Sequence, residues 1–108
     1  MTTAHIASDS TAILGVFQAL GDENRLRIIE VLQGGQRCVC DLQSSLDLGQ
    51  SLLSHHLRVL REAGLVRARR EGRWMHYTLS DEALGWAEEW IAGTRETART
   101  SIPSGSEC

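Results

Sequence analysis

The spacing of apolar residues changes abruptly at Gly64, and this change constrains the fold more than any other feature of the sequence. Before Gly64, apolar residues recur every three or four positions, which predicts an amphipathic helix. After it, residues 65–69 and 74–79 alternate apolar with polar side chains, which predicts two strands. Residues 70–73 lie between them and include a glycine suited to a tight turn. The apolar positions of the predicted helix are Leu53, Leu57 and Leu60.

Three further helices are predicted before this unit. The first covers about residues 9–20, and the second follows Asp22 as N-cap and ends at Gly34 and Gly35. A short third helix starts with the Cys-Val-Cys segment at residues 38–40 and ends near Leu48 and Gly49. The fourth helix follows it after a glycine-containing turn, with Ser51 as the expected cap. Two short helices joined in this way are typical of a helix-turn-helix, and the strand pair after them is typical of a wing.

A fifth helix is predicted from Ser80, its cap, to about Gly93. Its apolar arc is wide and includes Trp86 and Trp90, one turn apart. An arc of this width exceeds what one small core covers. The sequence leaves two explanations open, a face covered by a partner and a deep groove within the same domain.

The length of 108 residues fits one domain. We expect a disordered arm over residues 1–8, a folded domain over 9–93 and a flexible tail over 94–108. The chain contains no apolar run of about 18 residues, so no membrane association is expected. Because the first residues do not resemble a signal peptide, a cytoplasmic location is expected.

Charge is unevenly distributed along the chain. The net charge is −3, yet residues 51–80 hold six arginines and two glutamates. All the cationic side chains except the histidines are arginines, which suit bidentate contacts with guanine and phosphate. An arginine cluster in an acidic chain is the electrostatic pattern of a nucleic-acid contact, and we interpret residues 51–80 in this way.

The DNA contacts are predicted on the polar face of the fourth helix and on the wing. Glutamine suits adenine, arginine suits guanine, and serine or histidine suits phosphates and base edges. The histidine pair in this helix is not a strong metal site, because adjacent helical residues point about 100° apart. The predicted contacts are Gln50, Ser51, Ser54, His55 and Arg58 in the helix, and Arg69, Arg70 and Arg73 in the wing.

Three segments resemble the ArsR/SmtB family of metal-responsive repressors. They are LSHHLRVLREAGLV at residues 53–66, LGDENRLRI at 20–28, and REGRW at 70–74 with YTL at 77–79. The resemblance implies a mainly α winged helix-turn-helix with a small β-hairpin. It also implies a repressor that is a homodimer through its first and last helices and binds double-stranded operator DNA at an imperfect inverted repeat. The expected dimer residues are Ile13, Phe17, Trp86 and Trp90.

The pair Cys38 and Cys40 is the sharpest chemical signal. Thiolates bind soft, thiophilic ions, and a helix N-terminus favours the thiolate form. Side chains at i and i+2 of a regular helix diverge by about 200°, so the sequence predicts that the first helical turn unwinds or distorts when both sulfurs bind one atom. The alternative is that both cysteines are small buried residues.

The pentad CVCDL at residues 38–42 resembles the arsenite-sensing motif of ArsR proteins, in which a third cysteine follows the aspartate by two residues. Gln43 occupies that position, so the usual third thiol is missing. Water, hydroxide or an external thiol could complete the ligand set, or Cys108 of the same or the other subunit could supply the third ligand. The resemblance implies arsenite or antimonite, As(III) or Sb(III), as inducer, with Cd(II), Pb(II) and Zn(II) as alternatives. No cofactor is expected for folding.

Two other functions compete with a metalloid-responsive repressor. One is a redox switch in which the same cysteines oxidise. The other is a metal-trafficking or enzyme domain, but the sequence contains no Cys-x-x-Cys, glycine-rich phosphate loop or plausible catalytic triad. We therefore expect that the protein is not an enzyme.

Overall fold

Five helices and a three-stranded sheet make up residues 10–101, the part of the 108-residue chain that the computed structural model describes. The architecture is the predicted winged helix-turn-helix. In chain order the elements are α1 (Ser10–Leu20), α2 (Glu23–Leu32), β1 (Arg37–Cys38), α3 (Val39–Leu46), α4 (Gln50–Glu62), β2 (Val66–Glu71), β3 (Trp74–Leu79) and α5 (Asp81–Thr100).

Helix α2 begins and ends where local sequence signals predict. The Asp22 carboxylate accepts hydrogen bonds from the backbone N–H groups of Asn24 at 2.9 Å and Arg25 at 3.1 Å. These bonds satisfy two donors that the first turn of a helix leaves without partners. The helix ends just before Gly34 and Gly35, and Gly35 adopts a φ of 115°, which favours glycine. The predicted N-cap is therefore confirmed.

The helix-turn-helix pair is α3 and α4. Asp47 ends α3 in the left-handed conformation, with φ of 55°. The N-cap of α4 is Gly49, whose backbone is extended, so the prediction that Ser51 caps this helix was wrong. The chain turns into the helix two residues earlier than the serine, because the carbonyl of Gly49 already accepts the N–H of Leu53 at 3.0 Å.

The sheet has three antiparallel strands in the order β1-β3-β2, one more than the predicted hairpin. Strands β2 and β3 are joined by a turn in which Gly72 has a φ of 64°, as the glycine in the sequence indicated. Strand β1 pairs Arg37 with Tyr77 and Cys38 with His76. Two residues are too few to show alternation, so the sequence predicted only a short link here.

Helix α5 starts after Ser80 as predicted, but it continues to Thr100 instead of ending near Gly93. Residues 94–100 contain good helix formers, and a glycine within a helix is a modest cost rather than a stop. The hydroxyl of Thr94 donates to the carbonyl of Trp90 at 2.9 Å, and Arg99 pairs with Glu96 at 3.3 Å. The first half of the predicted tail is thus helical. The arm at residues 1–8 and residues 102–108 lie outside the described residues.

The core fills the space between the helices and the inner face of the sheet. Its members come from every element except β1, so the sheet and the helix-turn-helix share one apolar interior. No helix within residues 10–101 combines the length and hydropathy needed to cross a membrane. The buried side chains without measurable exposure are Val16, Ile28, Leu42, Leu60, Leu65 and Ala83.

Candidate DNA-binding face and thiolate site

Helix α4 has one buried face and one exposed polar face. Its buried leucines, Leu53, Leu57 and Leu60, are at most 2% exposed. These low exposed fractions agree with the predicted helical spacing of the leucines and show which side of α4 faces the core. The residues predicted to contact DNA are all exposed, namely Gln50, Ser51, Ser54, His55 and Arg58 in α4 and Arg69, Arg70 and Arg73 in β2 and the turn that follows.

A polar contact beneath α4 was not predicted. His56 is buried, and its Nδ1 lies 3.0 Å from Nη1 of Arg25 in α2. Because a guanidinium can only donate, Nδ1 accepts this bond, and a neutral ring then carries its proton on Nε2. Arg25 also donates from Nε to the carbonyl of Ala19 at 2.7 Å, so one side chain links α1, α2 and α4.

The same contact sets the ionisation of His56. Burial lowers the pKa of His56 below its usual 6.5, and the Arg25 charge lowers it further, although Asp22, whose Oδ1 lies 4.0 Å from Nδ1, opposes both effects. The backbone N–H of Arg25 in turn lowers the pKa of the Asp22 carboxyl. We conclude that His56 is neutral near pH 7 and serves the packing of α4, whereas His55 beside it faces outward.

The wing, which we define as residues 66–79, carries the other predicted DNA contacts. Arg70 and Arg73 are both exposed. Arg69 differs, because its Nη2 donates to Oε1 of Gln36 at 3.0 Å and its Nη1 lies 3.4 Å from Oε1 of Glu71. Arg69 therefore contacts both its own strand and the segment before β1.

The N-terminus of α4 suits an anion. Its N-cap, Gly49, has no side chain that could occupy the N–H groups of the first turn. Such groups, together with the helix dipole, favour phosphate at this end of a helix. The exposed Gln50 and Ser51 stand at the same end, so α4 presents backbone donors and polar side chains together.

The cysteines lie in the sensing segment, which we define as residues 36–41. Cys38 is the N-cap of α3 with an extended backbone, Val39 opens the helix, and Cys40 is in its first turn. The Sγ atoms of Cys38 and Cys40 are joined as a disulfide. Because Cys38 lies outside the helix, the two side chains converge without unwinding it. The prediction that the first turn must unwind or distort for the two sulfurs to meet was wrong for this reason.

Asp41 completes a cluster with the two cysteines. One donor atom from each of Cys38, Cys40 and Asp41 lies within 4.8 Å of the others, and this is the metal-competent group found among residues 10–101. The backbone N–H of Asp41 also donates to Sγ of Cys38 at 3.4 Å, a contact that would stabilise a thiolate at this sulfur once the disulfide is reduced. Asp41 was not predicted as a donor, although its place in the CVCDL pentad was the available signal. Cys108 lies outside the described residues.

Apolar side chains remain exposed on α1 and α5. Leu14 is 55% exposed, Trp90 50% and Ile91 51%. Trp90 also makes an edge-on contact with Phe17, with ring centroids 5.4 Å apart, and this contact fixes α5 against α1. Of the residues predicted at a dimer contact, Trp90 lies on this face, Phe17 and Trp86 are partly buried, and Ile13 is buried inside its own chain.

The known proteins that resemble this chain are bacterial regulatory proteins. The sequence profile described as "Bacterial regulatory protein, arsR family" matches residues 22–68. The arsenical resistance operon repressor of Escherichia coli (strain K12) is 46% identical over 77 residues, which is 70% of this chain and 66% of that repressor. The chain thus spans just under two thirds of that relative. An arsenic resistance transcriptional regulator of Pseudomonas putida is 38% identical over 80 residues, covering 73% of this chain and 70% of the regulator.

One further relative is named for cadmium instead of arsenic, and two solved structures show the same fold. A homolog of a cadmium resistance regulatory protein from Staphylococcus aureus is 41% identical over 68 residues, covering 62% of this chain and 56% of that protein. The crystal structure of an ArsR family regulator superposes with a TM-score of 0.79 at 25% identity, covering 86% and 96% of the two chains. A homodimeric winged helix-turn-helix domain from Mycobacterium bovis superposes with a TM-score of 0.65 at 26% identity, covering 87% and 89%.

Proposed function

This chain belongs to the ArsR family of bacterial regulatory proteins, and from that premise we propose that it is a transcriptional repressor released from operator DNA by As(III) or Sb(III). The observation that carries the proposal is that the sulfurs of Cys38 and Cys40 meet at the start of α3. Helix α3 directly precedes α4, whose outward face is polar. Its fold and its relatives are those of DNA-binding regulators rather than enzymes.

Helix α4 would enter the major groove with its exposed face toward the bases. The N-terminus of α4 and its serines suit phosphates, and Gln50 and Arg58 suit base edges. The wing arginines would reach the neighbouring backbone or minor groove. The arginine excess over residues 51–80 supports this orientation, because the rest of the chain is acidic.

The repressor would bind as a homodimer through the exposed face of α1 and α5. Leu14, Trp90 and Ile91 offer apolar area that this chain alone leaves in water. The homodimeric relative supports a second copy as the partner. A two-fold dimer with one reading helix per subunit requires an inverted repeat, with half-sites about 34–36 Å apart.

The inducer would bind to Cys38 and Cys40 after a thiol reductant has reduced their disulfide to two thiols and has itself been oxidised to a disulfide. Arsenous acid, As(OH)₃, exchanges two hydroxyl groups for two thiolates, and the two thiol protons leave with those groups as two water molecules. The third position on arsenic then keeps a hydroxyl, or takes the Asp41 carboxylate or the Cys108 thiol. Antimony follows the same exchange, because it is equally thiophilic.

The donor set also suits a divalent ion. Two sulfurs and a carboxylate oxygen lie within 4.8 Å of one another, and Cd(II), Pb(II) and Zn(II) accept such mixed donors. The cadmium-named relative supports this alternative. Because a carboxylate matters less to arsenic than to a divalent ion, Asp41 is the residue that separates the two inducer classes.

A redox switch is a second candidate, favoured by the disulfide itself. Oxidation by a peroxide would convert the two thiols to one disulfide; hydrogen peroxide would be reduced to two water molecules, and an organic hydroperoxide to an alcohol and one water molecule. Arsenite and peroxide would react with the same two sulfurs, so they would compete. Mass spectrometry of protein purified under reducing conditions, before and after peroxide, would reveal a reversible loss of two hydrogens.

The proposal is tested by fluorescence anisotropy on DNA from upstream of the gene, titrated with arsenite. We expect release in the reduced wild type, loss of release in Cys38→Ser and Cys40→Ser, and an intermediate response in Cys108→Ser if that thiol is the third ligand. Tight DNA binding that ignores arsenite would contradict the inducer assignment and leave Cd(II), Pb(II), Zn(II) or peroxide to be tested. Absence of DNA binding at low salt would contradict the repressor itself.

A further inference from the structure

One row of residues crosses the sheet from the sensing segment to the wing. The strand register pairs Cys38 with His76 and His76 with Arg69. Directly paired residues in antiparallel strands share a face, so all three side chains stand on the same side of the sheet. With neighbouring strands about 4.8 Å apart, the backbones of Cys38 and Arg69 are separated by about 10 Å. A thiol of the candidate site and a predicted DNA contact are therefore neighbours on one surface.

A hydrogen bond between two side chains also connects the sensing segment with the wing. Gln36 lies two residues before Cys38, and its Oε1 accepts Nη2 of Arg69 at 3.0 Å. The backbone of the segment is held as well, since Arg37 donates from Nη1 to the carbonyl of Gln36 at 3.0 Å and to that of Gly35 at 3.3 Å. Gln36, the residue to which Arg69 is bonded, therefore belongs to the same hydrogen-bonded segment as Cys38.

Arg69 is held but not buried. Its side chain is 58% exposed, and Glu71 lies 3.4 Å from both its Nη1 and Nε2 of His76. These contacts keep the guanidinium along the sheet. Exposed polar contacts of this kind are weak, so a modest shift of β1 is sufficient to change the balance between the sheet and a DNA phosphate.

We propose that Gln36 is a positioning residue that couples the thiol site to the wing. When Cys38 and Cys40 are held together, as here, Gln36 binds Arg69 and withdraws its guanidinium from the DNA backbone. When the sulfurs are separate, β1 relaxes and Arg69 is released to DNA. The inference deepens the proposed function and rests on it, because it assumes that Arg69 contacts DNA and that an ion or a disulfide joins the sulfurs.

The test compares Gln36→Met with Gln33→Met, a matched exposed control at the C-cap of α2. Methionine keeps the length of the side chain and removes the acceptor. We expect arsenite to weaken operator binding about threefold to tenfold less in Gln36→Met than in the wild type, with the affinity of the arsenite-free protein unchanged. In Arg69→Met the response to arsenite is reduced similarly, and adding Gln36→Met causes no further reduction. An undiminished response in Gln36→Met would overturn the inference.

A second measurement separates this inference from the proposed function. In ¹⁵N-labelled protein without DNA, the Arg69 Nε–H signal is followed as the two thiols pass from reduced to disulfide form. We expect a shift in the wild type and in Gln33→Met, and none in Gln36→Met. A wild type that ignores arsenite but shows this shift contradicts the proposed inducer and supports the coupling. Equal shifts in all three proteins would overturn the coupling whether or not arsenite acts.

Discussion

The reading helix α4 and the sensing segment are held in place by different means. Helix α4 has 13 residues, of which four are buried, and its position is fixed by contacts with α1, α2 and β2. The sensing segment has two paired residues, an exposed Cys40, and a sulfur as its N-cap acceptor. Helix α4 is anchored mainly by the core, whereas the sensing segment is held by strand pairing, a disulfide and polar bonds at the surface, with Val39 packed against the core.

This difference separates stability from response. Buried apolar contacts set the free energy of unfolding, whereas exposed hydrogen bonds contribute little to it and change readily. A ligand at the sensing segment can therefore alter local geometry without unfolding the domain. Four predictions test how far this separation holds.

The largest expected effect is on stability. Leu60→Ala in α4 removes a side chain with no measurable exposure, so we expect a loss of about 2–5 kcal/mol in the free energy of unfolding. Cys40→Ser, at an exposed position, is expected to change it by less than about 0.5 kcal/mol in reduced protein. Urea unfolding followed by circular dichroism measures both. Leu52→Ala, at a leucine 44% exposed, is the control within α4, and equal losses in all three variants would contradict the comparison.

The next largest effect separates operator binding from metal binding. Arg58→Ala is expected to weaken operator binding by about 1–3 kcal/mol and to leave metal affinity unchanged, because Arg58 faces outward from α4. Asp41→Asn is expected to keep operator affinity and lower the affinity for Cd(II), with a smaller effect on arsenite. Anisotropy and calorimetric titrations give the two affinities. Arg95→Ala, on the exposed part of α5, is the matched control, and a cadmium affinity unaffected by Asp41→Asn would remove that residue from the site.

A third prediction concerns pH and the anchor of α4. Because the folded-state pKa of His56 is lowered below 6.5, the unfolded chain binds its proton first as pH falls. Stability from this group is full above about pH 6.5 and is lost as pH falls toward the lowered pKa. The lowered pKa of Asp22 adds a further loss below pH 3.8.

His56→Gln, which keeps an acceptor for Arg25, should flatten the fall in stability between pH 7.5 and 5. His55→Gln is the control, because it makes the same substitution at an exposed histidine and leaves His56 in place. Urea midpoints at the two pH values are the measurement. The same slope in wild type and His56→Gln would assign the pH dependence to other groups.

The smallest effect is at the start of α4. Gly49 has an extended backbone, and a Cβ placed there meets no atom within 4 Å. Gly49→Ser therefore adds a capping oxygen without strain, and we expect a gain of a few tenths of a kcal/mol. Because that oxygen would occupy an N–H group offered to phosphate, operator affinity should fall slightly. A rise in both quantities would argue against a phosphate at this helix end.

Local signals in the sequence predicted most of the fold. The Asp22 cap, the glycine at position 72 and the leucine spacing in α4 each act within a few residues, and each is confirmed. The extent of α5 was underestimated, because Gly93 was interpreted as a stop, and the two residues of β1 left no periodic signal.

The candidate site was predicted in part. The spacing of Cys38 and Cys40 indicated a pair of soft donors, but the position of Cys38 outside the helix depends on strand pairing with residue 76. The contacts of Arg25 with His56 and of Arg69 with Gln36 join residues 31 and 33 positions apart. Sequence patterns of short range contain no information on such pairs, so the anchor of α4 and the link to the wing became visible only in three dimensions.

The pairing of β1 with β3 has a consequence for biosensor engineering. A Cys-x-Cys motif transplanted alone into another winged helix would bring the ligands without the strand that fixes the first of them. A portable cassette would need residues 36–41 together with a β3 partner equivalent to His76 and Tyr77. Conversely, exchanging the cysteines while keeping β1 offers a route to sensors for other ions on an unchanged output domain.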